Sequence, residues 1–210
     1  MWVYIYTEEQ EWQPWENTLA YLPLKEDVLD YSWNWNNWSW NPNSFTEWVA
    51  NYSGNSTTIP YSIINRNTYT VNIWANSNFS KPSSDKCFLW QHTSSVWWFN
   101  LMYYNNNIIK YRTWSNSWSA ADVNWIDYYT WWHLITAVLN SWTMYLYVDG
   151  VLQGTNTSWG SATTTMYMGY DKSNNTAWSW KLSELIVESV AWTAEEILAY
   201  YNLTKSIYWL

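Results

Sequence analysis

Short runs of apolar residues, each bounded by turn-forming residues, recur along the whole chain. Their length and their β-branched and aromatic content are typical of β-strands. They lie at residues 18–24, 69–75, 87–92, 98–104, 107–112, 132–139, 143–148, 165–170 and 181–189. Many short strands at this spacing predict an all-β domain, which could be a sandwich, a barrel or a jelly roll.

Two connections between these runs predict hairpins. Three asparagines, Asn105 to Asn107, join one pair of runs, and the dipeptide Asp149-Gly150 joins another pair. Asp-Gly suits a type I′ turn because both central residues of that turn need positive φ. We therefore expect antiparallel strands on either side of each connection.

One segment near the C-terminus, "AWTAEEILAYYN", predicts a helix instead of a strand. Thr193 is followed three residues later by Glu196, which is the pattern of an N-terminal capping box. Ile197, Tyr200 and Tyr201 then fall on one face of the helix. The pattern predicts one short C-terminal helix of one or two turns.

Charge and length restrict the function. The 210 residues suit a single β domain, and 9 basic residues against 17 acidic residues leave a net charge of −8. Because no basic run occurs, a nucleic-acid partner is disfavoured. No apolar stretch reaches the roughly 18 residues of a membrane span, and the N-terminus lacks the pattern of a signal peptide. Cys87 lies in an apolar run and is expected to be a small buried residue.

Tryptophan and glycine occur in unusual numbers. The chain has 23 Trp and only 5 Gly, whereas glycine normally makes up about 7% of a protein. In "DYSWNWNNWSW", residues 30–40, tryptophan alternates with turn-forming residues at positions where a turn usually carries glycine. Two interpretations follow: the tryptophans form an aromatic binding surface, or many of them occupy glycine positions.

The order of the motifs resembles the laminin-G-like jelly-roll domain of the concanavalin A-like lectin/glucanase superfamily. Trp131 and His133, followed by "LYVDG", resemble the family's W-x-H strand and its hairpin, and "TAEEI" with the later "YYN" resembles its closing helix. The resemblance covers about residues 17–202. It implies a two-sheet antiparallel jelly-roll sandwich with one short C-terminal helix at 17–210. Residues 1–16 would be a linker or N-terminal extension.

The resemblance bears on the tryptophans, because the family's first loop usually reads D-x-S-G-N-G-x-x-G. Trp33, Trp35 and Trp38 stand at the glycines of that pattern. Four others also fall where the family tends to have glycine: Trp48, Trp125, Trp142 and Trp180. We hypothesise that the gene uses UGA as a glycine codon and was translated with a table that reads UGA as tryptophan. UGG codons at the three loop positions would disprove this.

Catalysis is not expected. Hydrolases of the superfamily carry an E-x-D-x-E strand, which this sequence lacks. Glu195 and Glu196 are explained by the helix N-terminus, and His133 lies in an apolar strand, where a structural role is more common. The resemblance instead implies an extracellular binding or adhesion module that recognises carbohydrate or a surface protein, as part of a longer polypeptide. A glycoside hydrolase and a purely structural domain remain as alternatives.

Candidate ligand-binding residues follow from residue type. Aromatic faces for a sugar are offered by Trp74, Trp98, Tyr103 and Tyr104, although alternate aromatics of a sandwich also fill its core. Calcium is the candidate cofactor, since some relatives hold it through loop oxygens. Its candidate ligands are Asp30, Asn34, Asn36, Asn37 and Asp171. The alternative for Asp30 is an Asx turn. Ser183 replaces the aspartate that the family usually places before Glu184.

Overall fold

Antiparallel strands make up most of the described part of the chain. The computed structural model describes residues 16–24, 29–32, 44–46, 49–51, 57–59, 67–76, 86–91, 99–104, 108–113, 120–124, 132–157, 166–168, 170–171, 176–177 and 181–208. The first eight strands are β1 (Thr18–Leu22), β2 (Ser44–Thr46), β3 (Val49–Asn51), β4 (Thr57–Ile59), β5 (Thr68–Asn76), β6 (Lys86–Gln91), β7 (Phe99–Tyr104) and β8 (Ile108–Thr113). The next eight are β9 (Ala120–Asn124), β10 (Trp132–Asn140), β11 (Thr143–Val148), β12 (Val151–Thr157), β13 (Met166–Met168), β14 (Tyr170–Asp171), β15 (Thr176–Ala177) and β16 (Lys181–Glu188). One helix, α1 (Ala194–Tyr208), follows them.

The strands form two large sheets. The eight-stranded sheet has the order β12-β11-β10-β5-β16-β3-β2, with β1 also paired to β16. The six-stranded sheet has the order β4-β13-β6-β7-β8-β9, and β14 pairs with β15 separately. Every strand pair in the described residues is antiparallel. The predicted two-sheet, all-β class with a C-terminal helix is confirmed.

The main hydrophobic core lies between the two sheets. Along β5, every second residue faces the six-stranded sheet, as the period of a strand requires. These residues are Tyr69, Val71, Ile73 and Ala75. They pack in one cluster with buried side chains of the other sheet, including Leu89, Leu101, Ile109 and Met168. This layer holds the two sheets together by burying apolar surface from both.

The opposite face of the eight-stranded sheet is covered by α1. Trp74, Leu134 and Ile186 project from β5, β10 and β16 on this side, and they pack with Ile197 and Tyr200 of the helix. Because both faces of these central strands are covered, almost every residue along them is buried. Nearly continuous apolar runs are the sequence pattern expected of such strands.

Helix α1 begins as predicted but is longer. The backbone N–H of Thr193 donates to Oε2 of Glu196 at 2.7 Å, and the N–H of Glu196 donates to Oγ1 of Thr193 at 3.2 Å, which confirms the capping box. The helix has 15 residues instead of the one or two turns predicted. It continues because Thr204 is buried and Tyr208 stacks on Trp74, so the apolar face extends. Within the described residues, no helix has the length and apolarity to cross a lipid bilayer.

The turn that joins β11 to β12 has the predicted geometry. Asp149 and Gly150 have φ values of 52° and 79°, which are the two positive angles of a type I′ turn. Asn105 to Asn107 lie outside the described residues, but the strands on either side pair, with Tyr104 opposite Ile108.

The turn between β10 and β11 bears on the glycine-recoding hypothesis. Its positive φ, 58°, belongs to Ser141, and Trp142 has no positive φ. Trp142 is more than half exposed. The backbone at position 142 therefore does not require glycine. The other tryptophans of the hypothesis, Trp33, Trp35, Trp38, Trp48, Trp125 and Trp180, lie outside the described residues.

Candidate functional site

Three strands of the eight-stranded sheet bring together residues that are far apart in sequence. Trp132 is the first residue of β10 and lies opposite Asn76, the last residue of β5. Asn76 in turn lies opposite Lys181, the first residue of β16. Directly opposed residues project from the same face of a sheet, so the three side chains form a row across three strands. Neighbouring strands lie about 4.8 Å apart, so the row is about 10 Å long. We call Trp132, Asn76 and Lys181 the rim row.

The rim row stands at the edge of the helix-covered face. Trp132 alternates with buried Leu134, and Asn76 alternates with buried Trp74, so both belong to the face that α1 covers. The last residue of α1, Tyr208, packs against Trp132, and the three residues of the row are only partly buried. The row is therefore open to solvent next to the end of the helix.

A packed support holds the indole of Trp132. Its ring lies 5.1 Å from the ring of Tyr208, and that ring stacks at 4.3 Å on Trp74. The Tyr208 hydroxyl donates to Oε2 of Glu184 at 3.2 Å and lies 3.1 Å from Oγ of Ser183. The contact with the anchored Tyr208 ring restricts rotation of the Trp132 indole. The indole is therefore preorganised as a flat apolar surface.

Burial keeps the supporting tyrosines neutral. Burial first, and then the nearby carboxylate of Glu184, raise the pKa of Tyr208 well above its ordinary value. The same two causes, in the same order, raise the pKa of Tyr200. Tyr208 therefore stays protonated at neutral pH, and its hydroxyl donates a hydrogen bond to Glu184.

The polar members of the rim row have unused hydrogen-bonding capacity. Oδ1 of Asn76 is buried without a hydrogen-bond partner, and the residue as a whole is only partly buried. Within the part of the chain that the structure describes, Lys181 forms no ion pair. An amide and an ammonium beside a partly exposed indole are the kinds of groups that orient a sugar ring in a binding site.

Sequence patterns did not single out the rim row. Trp132 follows Trp131, which carries the family motif, and Asn76 and Lys181 are unremarkable residues at strand ends. Only strand register places them side by side, across sequence separations of more than 50 residues. A pair of tryptophans at the start of an apolar strand was the one available signal.

The structure corrects the prediction for Trp74. Its side chain is 0% exposed, lies under α1 and stacks on Tyr208, so it is a core residue and cannot face a ligand. Tyr103 and Tyr104 are the last two residues of β7, where only the backbone is described. Trp98 lies outside the described residues. Ligand contact by these last three remains a prediction.

The structure also decides between the two interpretations of Asp30. The carboxylate is buried, and its Oδ1 accepts the backbone N–H groups of Tyr21 and Ser32 at 2.9 Å and 2.8 Å. Its Oδ2 accepts the Ser32 hydroxyl at 2.8 Å. Tyr31 adds a backbone bond to the carbonyl of Tyr21. This is the Asx-turn alternative, in which Asp30 closes the outer edge of β1.

Calcium ligation by the predicted residues remains a prediction. Both carboxylate oxygens of Asp30 accept hydrogen bonds from the chain, as an Asx turn requires. Among the described residues, no three His, Cys, Asp or Glu side chains are grouped to hold a metal ion. Asp171 lies on β14, where only its backbone is described, and Asn34, Asn36 and Asn37 lie outside the described residues.

His133 has the structural role expected of it. Its Nδ1 lies 2.6 Å from Oδ2 of Asp149, and Oδ1 of Asp149 accepts the backbone N–H of Leu134 at 3.0 Å. The N–H of Asp149 donates back to the carbonyl of Leu134 at 2.9 Å. These bonds tie the start of β10 to the turn after β11.

Ser183 supports the helix at the position where the family usually has an aspartate. Its Oγ lies 3.1 Å from the Tyr208 hydroxyl and 3.5 Å from the carbonyl of Pro23. Glu184 has a φ of 47°, and the pairing with β5 shifts register at this point. The pair therefore anchors the end of α1 through a bulge in the sheet.

A family model matches more than half of the chain. Residues 51–198 match the family model Laminin_G_3, described as the concanavalin A-like lectin/glucanases superfamily. This chain therefore belongs to that family, as its sequence motifs and two-sheet sandwich had indicated. None of the curated proteins compared with the chain matches it.

Solved structures with the same fold come from larger proteins. Domain 4 of AbnA, a GH43 extracellular arabinanase from Geobacillus stearothermophilus, in complex with arabinotriose, has a TM-score of 0.71 at 14% identity and covers 87% of this chain and 97% of that one. The binding domain of botulinum neurotoxin DC in complex with SialylT has a TM-score of 0.70 at 12% identity. The match covers 92% of this chain and 52% of that one. Trypanosoma rangeli sialidase in complex with sialic acid has a TM-score of 0.72 at 12% identity. The match covers 94% of this chain and 34% of that one. The chain thus spans about half of the toxin domain and a third of the sialidase. At these identities the likeness concerns the fold.

Proposed function

We propose that this protein is a noncatalytic carbohydrate-binding module that acts outside the cell or at its surface as part of a longer polypeptide. The rim row carries the proposal, because a supported indole stands beside an amide and an ammonium with free hydrogen-bonding capacity. The fold adds support, since it covers 97% of an arabinanase domain that was solved with arabinotriose.

The described carboxylates favour binding over hydrolysis. Glycoside hydrolysis needs two carboxyl groups that flank the scissile bond and face the substrate. Asp30 braces a loop, Asp149 pairs with His133, and Glu184 accepts the Tyr208 hydroxyl. Each of these side chains is engaged by the protein itself, which supports a noncatalytic role. The superfamily contains both lectins and glucanases, so hydrolase activity is the alternative outcome of the test below.

Trp132→Ala tests the proposal. Arabinotriose, 3′-sialyllactose and lactose would be titrated against the purified protein by calorimetry. We expect at least one saccharide to bind. Loss of the indole should weaken that binding by about 10- to 100-fold, because central aromatic residues carry a large share of binding energy.

The matched control is Trp142→Ala, which removes an exposed tryptophan in the turn between β10 and β11. It should leave saccharide affinity unchanged. Thermal melting would report folding of both variants, and Trp132→Phe keeps an aromatic ring if the alanine variant fails to fold. Equal affinities of the two alanine variants would refute the rim row as the site. Release of reducing sugar from these ligands would establish the hydrolase alternative.

A further inference from the structure

The donor and acceptor pattern of the rim row carries information about its ligand. Lys181 presents an ammonium, which only donates hydrogen bonds. The amide of Asn76 carries Nδ2, also a donor, whereas its Oδ1 acceptor is buried. The polar half of the row therefore offers two donors and one positive charge. A group rich in acceptors and negatively charged is its chemical complement.

We propose that the rim row binds a saccharide that carries a carboxylate, with the carboxylate on Lys181 and Asn76 and the sugar ring on the face of Trp132. This inference rests on the proposed carbohydrate-binding function and specifies its ligand class. The row is about 10 Å long from the strand spacing, so a ring and its carboxylate fit along it.

The charges near Lys181 leave its ammonium available. Glu184, the carboxylate three residues along the same strand, accepts the hydroxyl of Tyr208. Lys205, a second lysine of the described residues, donates to Oδ1 of Asn202 at 2.7 Å and lies over the ring of Tyr201. Lys181 therefore differs from Lys205 in having no partner among the described residues.

The net charge of −8 opposes an acidic ligand at long range. Salt screens this repulsion, because the Debye length is about 8 Å at 0.15 M ionic strength. Contact between the carboxylate and Lys181 is much closer and is screened less. Affinities should therefore be measured at or above this ionic strength.

Two pairs of probes test the inference. They distinguish the two classes of acidic sugar that could supply the carboxylate, the nonulosonic acids and the hexuronic acids. The first pair is 3′-sialyllactose against lactose, and the second is an oligomer of galacturonic acid against its methyl ester. We expect the charged member of at least one pair to bind about tenfold more tightly, the effect expected of one charge-assisted hydrogen bond. The pair that shows the preference identifies the source as a nonulosonic or a hexuronic acid.

Lys181→Ala should remove that preference while leaving the affinity for the uncharged probe unchanged, and Lys181→Arg should retain it. Lys205→Ala is the matched control and should behave as the wild-type protein. Equal binding of charged and uncharged probes by the wild-type protein would overturn the carboxylate inference and leave the carbohydrate-binding function standing. No binding of any saccharide would overturn both.

Discussion

Gly150 occupies a position where only glycine fits without rearrangement. Its φ of 79° lies in the left-handed region that side chains disfavour. A Cβ atom at this position would lie 2.8 Å from Cδ1 and 3.1 Å from Cα of Leu198. The hairpin backbone therefore packs directly against α1, and the absence of a side chain at one residue sets how closely the helix approaches the sheet.

Gly150→Ala should lower the free energy of unfolding by about 2–3 kcal/mol, because it combines the left-handed backbone cost with a collision against the helix. Urea denaturation would measure the change. Gly154→Ala is the control, since Gly154 lies in β12 without a positive φ, and it should change stability by less than about 1 kcal/mol. Equal effects of the two substitutions would show that neither the φ angle nor the contact with Leu198 matters.

Strand β16 carries a buried acid at the point where the chain leaves the sheet for α1. Glu188 is 0% exposed; its Oε1 accepts the Thr18 hydroxyl at 2.8 Å, and its Oε2 has no hydrogen-bond partner. Burial raises the pKa of this carboxyl to about 7, and the bond from Thr18 only partly offsets the effect. On the neighbouring strand β5, the Thr70 hydroxyl donates to the carbonyl of Val190 and accepts the backbone N–H of Trp192. These two bonds hold the segment that connects β16 to α1.

This acid should make stability depend on pH. The folded protein binds the proton more tightly than the unfolded chain, in which the carboxyl titrates near 4.5. The stabilisation is therefore fully present below pH 4.5 and is lost as the pH rises through about 7. The loss amounts to about 3 kcal/mol, given roughly 1.4 kcal/mol for each unit of pKa shift.

Glu188→Gln keeps a neutral side chain of the same size at every pH. Relative to this variant, the wild-type protein should lose about 3 kcal/mol of unfolding free energy between pH 4.5 and pH 8. Urea denaturation across this range measures the difference. Parallel profiles for wild type and Glu188→Gln would contradict the assignment.

A hydrogen bond between two buried tyrosines joins the two sheets across the main core. The hydroxyls of Tyr69, in the eight-stranded sheet, and Tyr111, in the six-stranded sheet, lie 2.6 Å apart. Both side chains are buried, and burial raises both pKa values above the ordinary range. The pair stays neutral and fixes the alignment of the sheets at a point inside an otherwise apolar layer.

A double-mutant cycle tests this contact. Tyr69→Phe and Tyr111→Phe should each lower the free energy of unfolding by about 1–2 kcal/mol, because each removes one side of a buried hydrogen bond. The double variant should cost less than the sum of the two single variants, with a coupling energy of about 1 kcal/mol. Strictly additive effects, measured by urea denaturation, would show that the two hydroxyls do not interact.

Local sequence patterns predicted most of the strands and the helix. The predicted runs correspond to the long strands, and the capping box and Asp-Gly turn lie where the sequence placed them, because alternation, caps and turns depend on near neighbours in the chain. Shorter strands were missed: β2, β3 and β4 have only three residues each, too few to show a period, and β9, "AADVN", has few large apolar residues. Strand β12, "VLQGTNT", is mostly exposed at the edge of its sheet, so it needs no apolar alternation.

Tertiary structure alone decided which side chains are free for binding. The sequence identified Trp74 as aromatic, but the packing of α1 buries it. Asn76 and Lys181 carry no local signal, yet strand register places both beside Trp132. Register and helix docking pair residues that are distant in sequence, and residue type alone does not encode those pairings. The sequence therefore determined the elements, the fold class and the family, whereas the rim row exists only in the folded protein.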